Sequence, residues 1–365
     1  MPTHYYSADA VFTGTEWLED VILQIDDHII TALLPAHQVQ ASDVRHLQGM
    51  IVPAFIDIQL YGAAGRLLSV YPDTLTLKAI AAHCRQGGTV LSLPTVATNT
   101  LEVSYRCIDA VQQYWAESGA GIWGLHLEGP WIHPLKRGAH IESLIHPPSI
   151  GEVKSLLEYG SGVIKMITLA PEVCSDEVIG LIQEAGITIS AGHSNASFAE
   201  ATAAFDKGIT AVTHLYNAMS PLQHREPGMV GAALLHPLVR ASVIPDGYHV
   251  DFAALRIAKQ VMGERLFAIT DAVTATDEGP YQHQLVQDRY EANGILSGSA
   301  LTQHRSFINL VTHVGVETGE ALRMCSLYPA QVIGADSLYG KIAPGYTAQF
   351  VVLDKQLQLA DVITA

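Results

Sequence analysis

The stretch Ile187-Thr188-Ile189-Ser190-Ala191-Gly192-His193-Ser194-Asn195-Ala196-Ser197-Phe198-Ala199-Glu200-Ala201-Thr202-Ala203-Ala204-Phe205-Asp206-Lys207-Gly208 decides the reading of the chain. It begins with an apolar, β-branched run, Ile187–Ala191, and pivots at Gly192-His193-Ser194. It then continues as a helical segment, Ser194–Lys207. In that segment Phe198, Ala201, Thr202 and Phe205 fall at i, i+3, i+4 and i+7, which is one face of a helix. Ser197 and Glu200 stand at capping-box spacing, and Gly208 supplies the stop. The unit is a strand, a polar pivot carrying an imidazole, and an amphipathic helix.

Working outward, the unit recurs. Eight apolar runs read as strands: Ile51–Ile58, Thr89–Pro94, Ile122–Leu127, Val163–Leu169, Ile187–Ala191, Ile209–Thr213, Val239–Ile244 and Leu266–Thr270, most of them separated by helix-like segments. Eight such units over about 290 residues suggest a (β/α)8 TIM-like barrel, although a doubly wound open sheet gives a similar alternation. Outside this region the pattern changes to short strands, Ala10–Phe12, Val21–Ile25 and Ile29–Leu33 at one end and Gln349–Leu353 at the other. Because the termini of a domain often lie close together, residues 1–50 and 341–365 are expected to form one small β-sandwich domain around a barrel of residues 51–340.

Composition narrows the function classes. The chain carries 36 acidic against 20 basic residues, a formal charge of −16, which disfavours binding to nucleic-acid phosphates. No apolar run approaches the roughly 18 residues of a membrane span. The N-terminal Met1-Pro2-Thr3-His4-Tyr5-Tyr6 has neither a basic region nor an apolar one, so no secretory signal is read there. Cys84, Cys107, Cys174 and Cys325 are scattered without a Cys-x-x-Cys pair, as expected of a protein in the reducing cytoplasm.

The polar residues at the run ends carry the chemistry. The first run ends in Asp57-Ile58-Gln59, the third in His126-Leu127-Glu128-Gly129-Pro130, and the fifth in Gly192-His193-Ser194. The sixth ends in Thr213-His214-Leu215 and the eighth in Thr270-Asp271-Ala272, while the seventh runs into Pro245-Asp246-Gly247-Tyr248-His249. Barrel enzymes place their catalytic groups at these C-terminal strand ends. Glu128, His193 and His214 together make a two-histidine, one-carboxylate ligand set of the kind that holds catalytic zinc and leaves a position for water. Asp271 could take the proton of that water and return it to a leaving amine. Singly, each residue has an ordinary structural role open to it; their coincidence at the ends of different strands favours a site.

These residues also carry a family resemblance. Pro53-Ala54-Phe55-Ile56-Asp57, His126-Leu127-Glu128-Gly129-Pro130, Gly192-His193-Ser194 and Thr270-Asp271-Ala272 resemble the amidohydrolase superfamily. Thr213-His214-Leu215-Tyr216-Asn217-Ala218-Met219, Arg225-Glu226-Pro227-Gly228, Asp246-Gly247-Tyr248-His249-Val250-Asp251 and Leu296-Ser297-Gly298-Ser299 look like its N-acetylglucosamine-6-phosphate deacetylase branch. The resemblance implies Glu128, His193 and His214 as metal ligands and Asp271 as acid/base. It implies that His140 polarises the acetyl carbonyl and that Ala139, His140, Asn217, Ala218, Arg225 and His249 contact the sugar phosphate. A homodimer in which the Arg225 loop reaches the neighbouring subunit's site is implied as well.

Many amidohydrolases carry His-x-His at the end of the first strand and bind two metals, whereas this sequence has Asp57-Ile58-Gln59 there. One divalent metal per subunit is therefore expected, Zn2+ first, with Fe2+, Co2+ or Mn2+ open by ligand type. The expected reaction is hydrolysis of N-acetylglucosamine 6-phosphate to glucosamine 6-phosphate and acetate. Its alternative is the N-acetylgalactosamine epimer, or both. Another cyclic amidase is disfavoured by the missing His-x-His and by the lack of a lysine placed to bridge two metals. A non-catalytic sugar-phosphate sensor is disfavoured by the intact Glu128, His193, His214 and Asp271 set.

Overall fold

The computed structural model describes residues 3–40, 43–117, 119–292 and 294–364, so Met1, Pro2 and Ala365 of the terminal readings lie outside the described residues. Eight parallel strands form one sheet in sequence order: Phe55–Leu60, Thr89–Ala97, Leu125–Glu128, Ile164–Leu169, Thr188–Ala191, Ala211–Val212, Arg240–Val243 and Leu266–Ala268. Beyond the last of these the chain returns to the first. A Leu60–Ala272 bridge, with Tyr61 N–H donating to Ala272 O at 2.8 Å and Asp271 N–H to Gln59 O at 2.9 Å, closes the barrel. Closure excludes the open doubly wound sheet that periodicity had left possible.

The first apolar run straddles two structures. Val44–Pro53 is a strand of the terminal sheet, and Phe55–Leu60 is the first barrel strand, with Ala54 between them. The run reads as one because both halves are buried, Ile51 and Val52 as completely as Phe55 and Ile56. The terminal sheet has seven strands, including His4–Phe12, Val21–Asp26, Ile29–Pro35, Val44–Pro53, Gln349–Leu353 and a strand that the sequence reading lacked, Leu359–Thr364. An Ile29–Thr347 bridge brings its two sides together around a separate core that includes Leu23, Ile25, Ile30, Phe350 and Val352.

The helix read from Ser194 begins at Phe198 and runs to Asp206. Ser197 is its N-cap: the Ser197 hydroxyl accepts from Glu200 N at 3.3 Å, and the Glu200 carboxylate accepts from Ser197 N at 2.8 Å. The cap releases residues 192–196 from the helix, so His193 sits on a loop at the barrel mouth. A second departure follows the eighth strand, where a three-stranded antiparallel sheet, Gln284–Val286, Arg289–Ala292 and Ile295–Ser299, precedes the helix Gln303–Asn309. No described helix is long and apolar enough to cross a membrane.

Candidate active site

Three of the strand-end residues share a backbone feature. His193, His214 and Asp271 have φ of +48°, +36° and +54°, the left-handed region that non-glycine residues seldom occupy. Each takes up this conformation where the chain leaves its strand, and all three side chains line one cavity at the barrel mouth. Such strained residues tend to gather at functional sites. The loop carrying His193 is tied to the loop after His214: Ser194 N–H donates to Ala218 O at 3.1 Å, and Ser220 N–H to Ser194 O at 3.1 Å.

Glu128 ends the third strand and is 1% exposed. Its Oε1 lies 3.3 Å from His193 Nε2 and 3.2 Å from His214 Nε2, and the two Nε2 atoms stand 3.0 Å apart. Donors about 2.0–2.1 Å from a tetrahedral ion stand about 3.3 Å from one another, so this triangle fits a single divalent cation. His193 Nδ1 donates to Lys136 O at 2.8 Å, which leaves its Nε2 as a bare lone pair facing the centre. Burial, then the charge of His140, push the His193 pKa down to about 4, so its ring is neutral, as a ligand must be. Burial raises the Glu128 carboxyl, but the imidazoles of His193, His140 and His214 gathered against it outweigh that and hold the group well below its usual range.

His140 lies as near: its Nε2 is 3.3 Å from Glu128 Oε2, and with Glu128 and His193 it forms another group close enough to hold an ion. Its tautomer argues for a different task. The Thr98 backbone N–H donates to His140 Nδ1 at 3.3 Å, so Nδ1 carries the lone pair and Nε2 carries the proton. A protonated Nε2 is a donor aimed into the cavity. Gly129 allows this approach: with φ +81°, a Cβ there would stand 2.2 Å from Thr98 Oγ1, the hydroxyl 2.7 Å from His140 Nδ1.

Asp271 is buried beside the triangle. Its Oδ1 accepts from Gln59 Nε2 at 2.8 Å and from Tyr61 OH at 3.2 Å. Burial, then the charge of Glu128, raise its pKa. The side chains at 59 and 61 therefore face the centre together, whereas Asp57 points into the barrel seam, where it accepts from Thr270 N at 3.2 Å and Gln59 N at 3.3 Å. The sequence reading set Asp57-Ile58-Gln59 against the missing histidine pair; the inward pair is Gln59 and Tyr61. Gln59 Nε2 also donates to Glu128 Oε1 at 3.0 Å, and Tyr61 OH donates to Glu128 Oε2. Tyr61 was missed, and the two-residue strand period counted on from Gln59 was the signal that could have found it.

Ala139, Asn217, Ala218 and His249 line the same cavity. His249 Nδ1 donates to Asp246 Oδ2 at 2.6 Å, and the same carboxylate caps the loop by accepting from Tyr248 N and His249 N at 2.8 Å. Asp246 thus orients the ring that the sequence reading singled out. Arg225 is not among the residues lining the cavity; it sits on an exposed loop pinned by Gln223 N–H donating to Glu226 O at 3.1 Å.

A parallel barrel whose mouth gathers a cation-ready carboxylate–imidazole triangle, an imidazole N–H and a buried aspartate is the architecture of a metal-dependent hydrolase. Residues 50–365 match the amidohydrolase family, and the chain belongs to it; it is a hydrolase of carbon–nitrogen bonds. The chain is 32% identical to the N-acetylgalactosamine-6-phosphate deacetylase of Escherichia coli O157:H7, over 99% of this chain and 97% of that one. It is also 32% identical to the N-acetylglucosamine-6-phosphate deacetylase of Haemophilus influenzae, over 96% and 94%. The crystal structure of N-acetylglucosamine-6-phosphate deacetylase from Pasteurella multocida superposes with a TM-score of 0.94 at 31% identity, covering 100% of this chain and 98% of that one.

Proposed function

We propose that this protein hydrolyses N-acetylglucosamine 6-phosphate to glucosamine 6-phosphate and acetate. The observation that carries the proposal is the placement of Asp271 beside the Glu128–His193–His214 triangle, with the protonated Nε2 of His140 on the same cavity wall. Glu128, His193 and His214 would hold one divalent ion, zinc by ligand type, which polarises the acetyl carbonyl and acidifies the attacking water. The remaining steps fall to the chain's own groups. His140 Nε2–H donates to the acetyl oxygen as negative charge develops there. Gln59 and Tyr61 occupy Asp271 Oδ1 and leave Oδ2 free for the water. Asp271 takes a proton as the water oxygen bonds to the carbonyl carbon. It then delivers that proton to the nitrogen as the carbon–nitrogen bond breaks, so the amine leaves neutral with acetic acid, which gives up its proton to solvent to become acetate. The raised pKa of Asp271 suits a group that must first accept and then donate.

Asn217, Ala218 and His249, half-buried in the cavity wall, support a sugar-phosphate pose. Arg225, exposed and away from its own cavity, supports a dimer in which it binds the partner's phosphate through its planar fork. The galacto epimer is the second reading, favoured by the equal identity to an N-acetylgalactosamine-6-phosphate deacetylase. Turnover of both phosphorylated epimers and of their unphosphorylated sugars, on metal-analysed enzyme, tests the proposal. Preference for one phosphorylated epimer supports it and chooses the substrate. No acetate release from any of the four, with metal bound, rejects it.

A further inference from the structure

The catalytic cavity opens into a side chamber that the chemistry above leaves unused. Tyr61, Ala139, His140 and Ser297 line both spaces. Beyond them the chamber is walled by Leu67, Ala97, Val273 and Tyr281, with Ser69 and His283. Leu67, Val273 and Tyr281 form a hydrophobic cluster of their own, separate from the barrel core and from the terminal core. Two of the polar groups in the wall are engaged by the protein. Tyr281 OH donates to Thr98 O at 2.6 Å, and His283 Nδ1 is paired with Ser297 Oγ at 2.8 Å. The chamber therefore offers an uncharged, largely apolar surface and no unpaired charge.

The carbonyl group under attack has three substituents to accommodate. Its oxygen faces the His140 N–H and the ligand triangle. Its nitrogen carries the sugar toward the half-buried Asn217, Ala218 and His249. With those two so placed, the carbon chain of the acyl group would point at the shared wall, toward the chamber. The centres of water-sized groups have about 40 Å3 there, room for a few of them, so a methyl group leaves space that one or two further methylenes would fill.

Resting on the deacetylase reading, we propose that the chamber is an acyl-chain subsite and that the enzyme also hydrolyses amino-sugar phosphates carrying acyl groups longer than acetyl, propionyl and butyryl included. Each further methylene seated on apolar surface contributes binding worth about fourfold, from the roughly 0.8 kcal/mol of a buried CH2. The cleavage is unchanged: water adds to the acyl carbon, the carbon–nitrogen bond breaks, and the products are the free amine and the longer carboxylate.

The test measures amine release from the N-acetyl, N-propionyl and N-butyryl forms of glucosamine 6-phosphate and galactosamine 6-phosphate. The expected result is a kcat/KM for propionyl and butyryl within tenfold of acetyl on the preferred sugar. In Ala97→Leu, which fills the chamber, the butyryl-to-acetyl ratio is expected to fall at least tenfold; Ser69→Leu on the loop side gives the same readout should Ala97→Leu not fold. The ratio is taken within one protein, so differences in the amount of active enzyme cancel. Acetyl turnover with the longer chains more than tenfold slower overturns the inference and leaves the deacetylase reading standing. An unchanged ratio in both variants overturns it too, since the chain would then lie elsewhere. No hydrolysis of any of the compounds removes the deacetylase reading and the inference with it.

Discussion

Two polar layers lie buried one above the other inside the same barrel, and they are built on opposite rules. In the lower layer every group finds a protein partner. His126 Nδ1 donates to Ile58 O at 3.1 Å, and its Nε2 accepts from Thr168 Oγ1 at 2.7 Å. Thr168 Oγ1 is 2.7 Å from Thr213 Oγ1, which is 2.6 Å from Ser190 Oγ. The hydroxyls form a line from Ser190 through Thr213 and Thr168 to His126. In the upper layer, two residues further along the third strand, imidazole nitrogens and a carboxylate converge on one point. His193 Nε2 and His214 Nε2 face across 3.0 Å, both against Glu128 Oε1, and His214 Nδ1 has no partner among the described residues. Burying polar groups costs free energy unless they are paired. The lower layer meets that cost with hydrogen bonds, and the upper one gathers a carboxylate and imidazoles that could hold a divalent cation. Burial alone therefore does not mark a functional residue; the direction of the lone pairs does.

The sharpest way to break the comparison is to remove the charge on which the upper layer converges. Glu128→Gln is expected to lose the metal and at least a thousandfold in turnover, while its fold persists. Metal analysis after dialysis and circular dichroism check both halves. An ion still present at one per chain would show that His140 completes the site instead. Next in size is Asp271→Asn, which keeps the donor triangle but removes the proton carrier. Its kcat is expected to fall by about 10²- to 10⁴-fold with metal content and substrate affinity retained. Unchanged turnover would remove Asp271 from the mechanism.

Much of this was legible in the sequence, for a physical reason. The barrel strands are buried on both faces and so appear as unbroken apolar runs, and each polar interruption at a run's end stands out, as at Glu128, His193, His214 and Asp271. What was not legible depends on angles and not on composition. Nothing in Tyr61 or Thr98 as letters says that one phenol spans Glu128 and Asp271, or that one backbone N–H fixes the tautomer of His140. The handover at Ala54 was hidden because two different cores bury consecutive residues of one run. The sheet at 284–299 was hidden because its strands are short and largely exposed, with Leu285 and Ile295 at 55% and 44%.

A third prediction concerns Asp57, which seals the seam between the first and last barrel strands below the site. Burial raises its pKa from 3.8 to about 7 against the opposing hydrogen bonds from Thr270 and Gln59. Between those values the folded protein holds a proton that the unfolded chain releases. Its contribution is therefore complete below pH 4 and fades as pH rises through 7, with a slope of at most about 1.4 kcal/mol per pH unit. Asp57→Asn cannot titrate. The stability difference between wild type and variant, from urea unfolding across pH 4.5–7.5, is expected to move steadily in the variant's favour as pH rises. A flat difference would mean that Asp57 is ionised in the native barrel.

The smallest effect should come from the lower layer, and it separates the two layers most cleanly. Thr168→Val keeps the shape but deletes the hydroxyl between His126 and Thr213. His126 Nε2 then loses its donor and the Thr213 hydroxyl loses a neighbour, both in a place water does not reach. Leaving such groups unsatisfied costs about 1–3 kcal/mol. That loss should appear as a lower urea midpoint with an unchanged m-value. Turnover and metal content should stay within about threefold of wild type, because no lone pair of the upper layer depends on the hydroxyl. If kcat instead falls by tenfold or more while stability holds, the hydroxyl chain beneath the site is setting the position of Glu128 through the His126 side of its strand. The two layers would then act as one device.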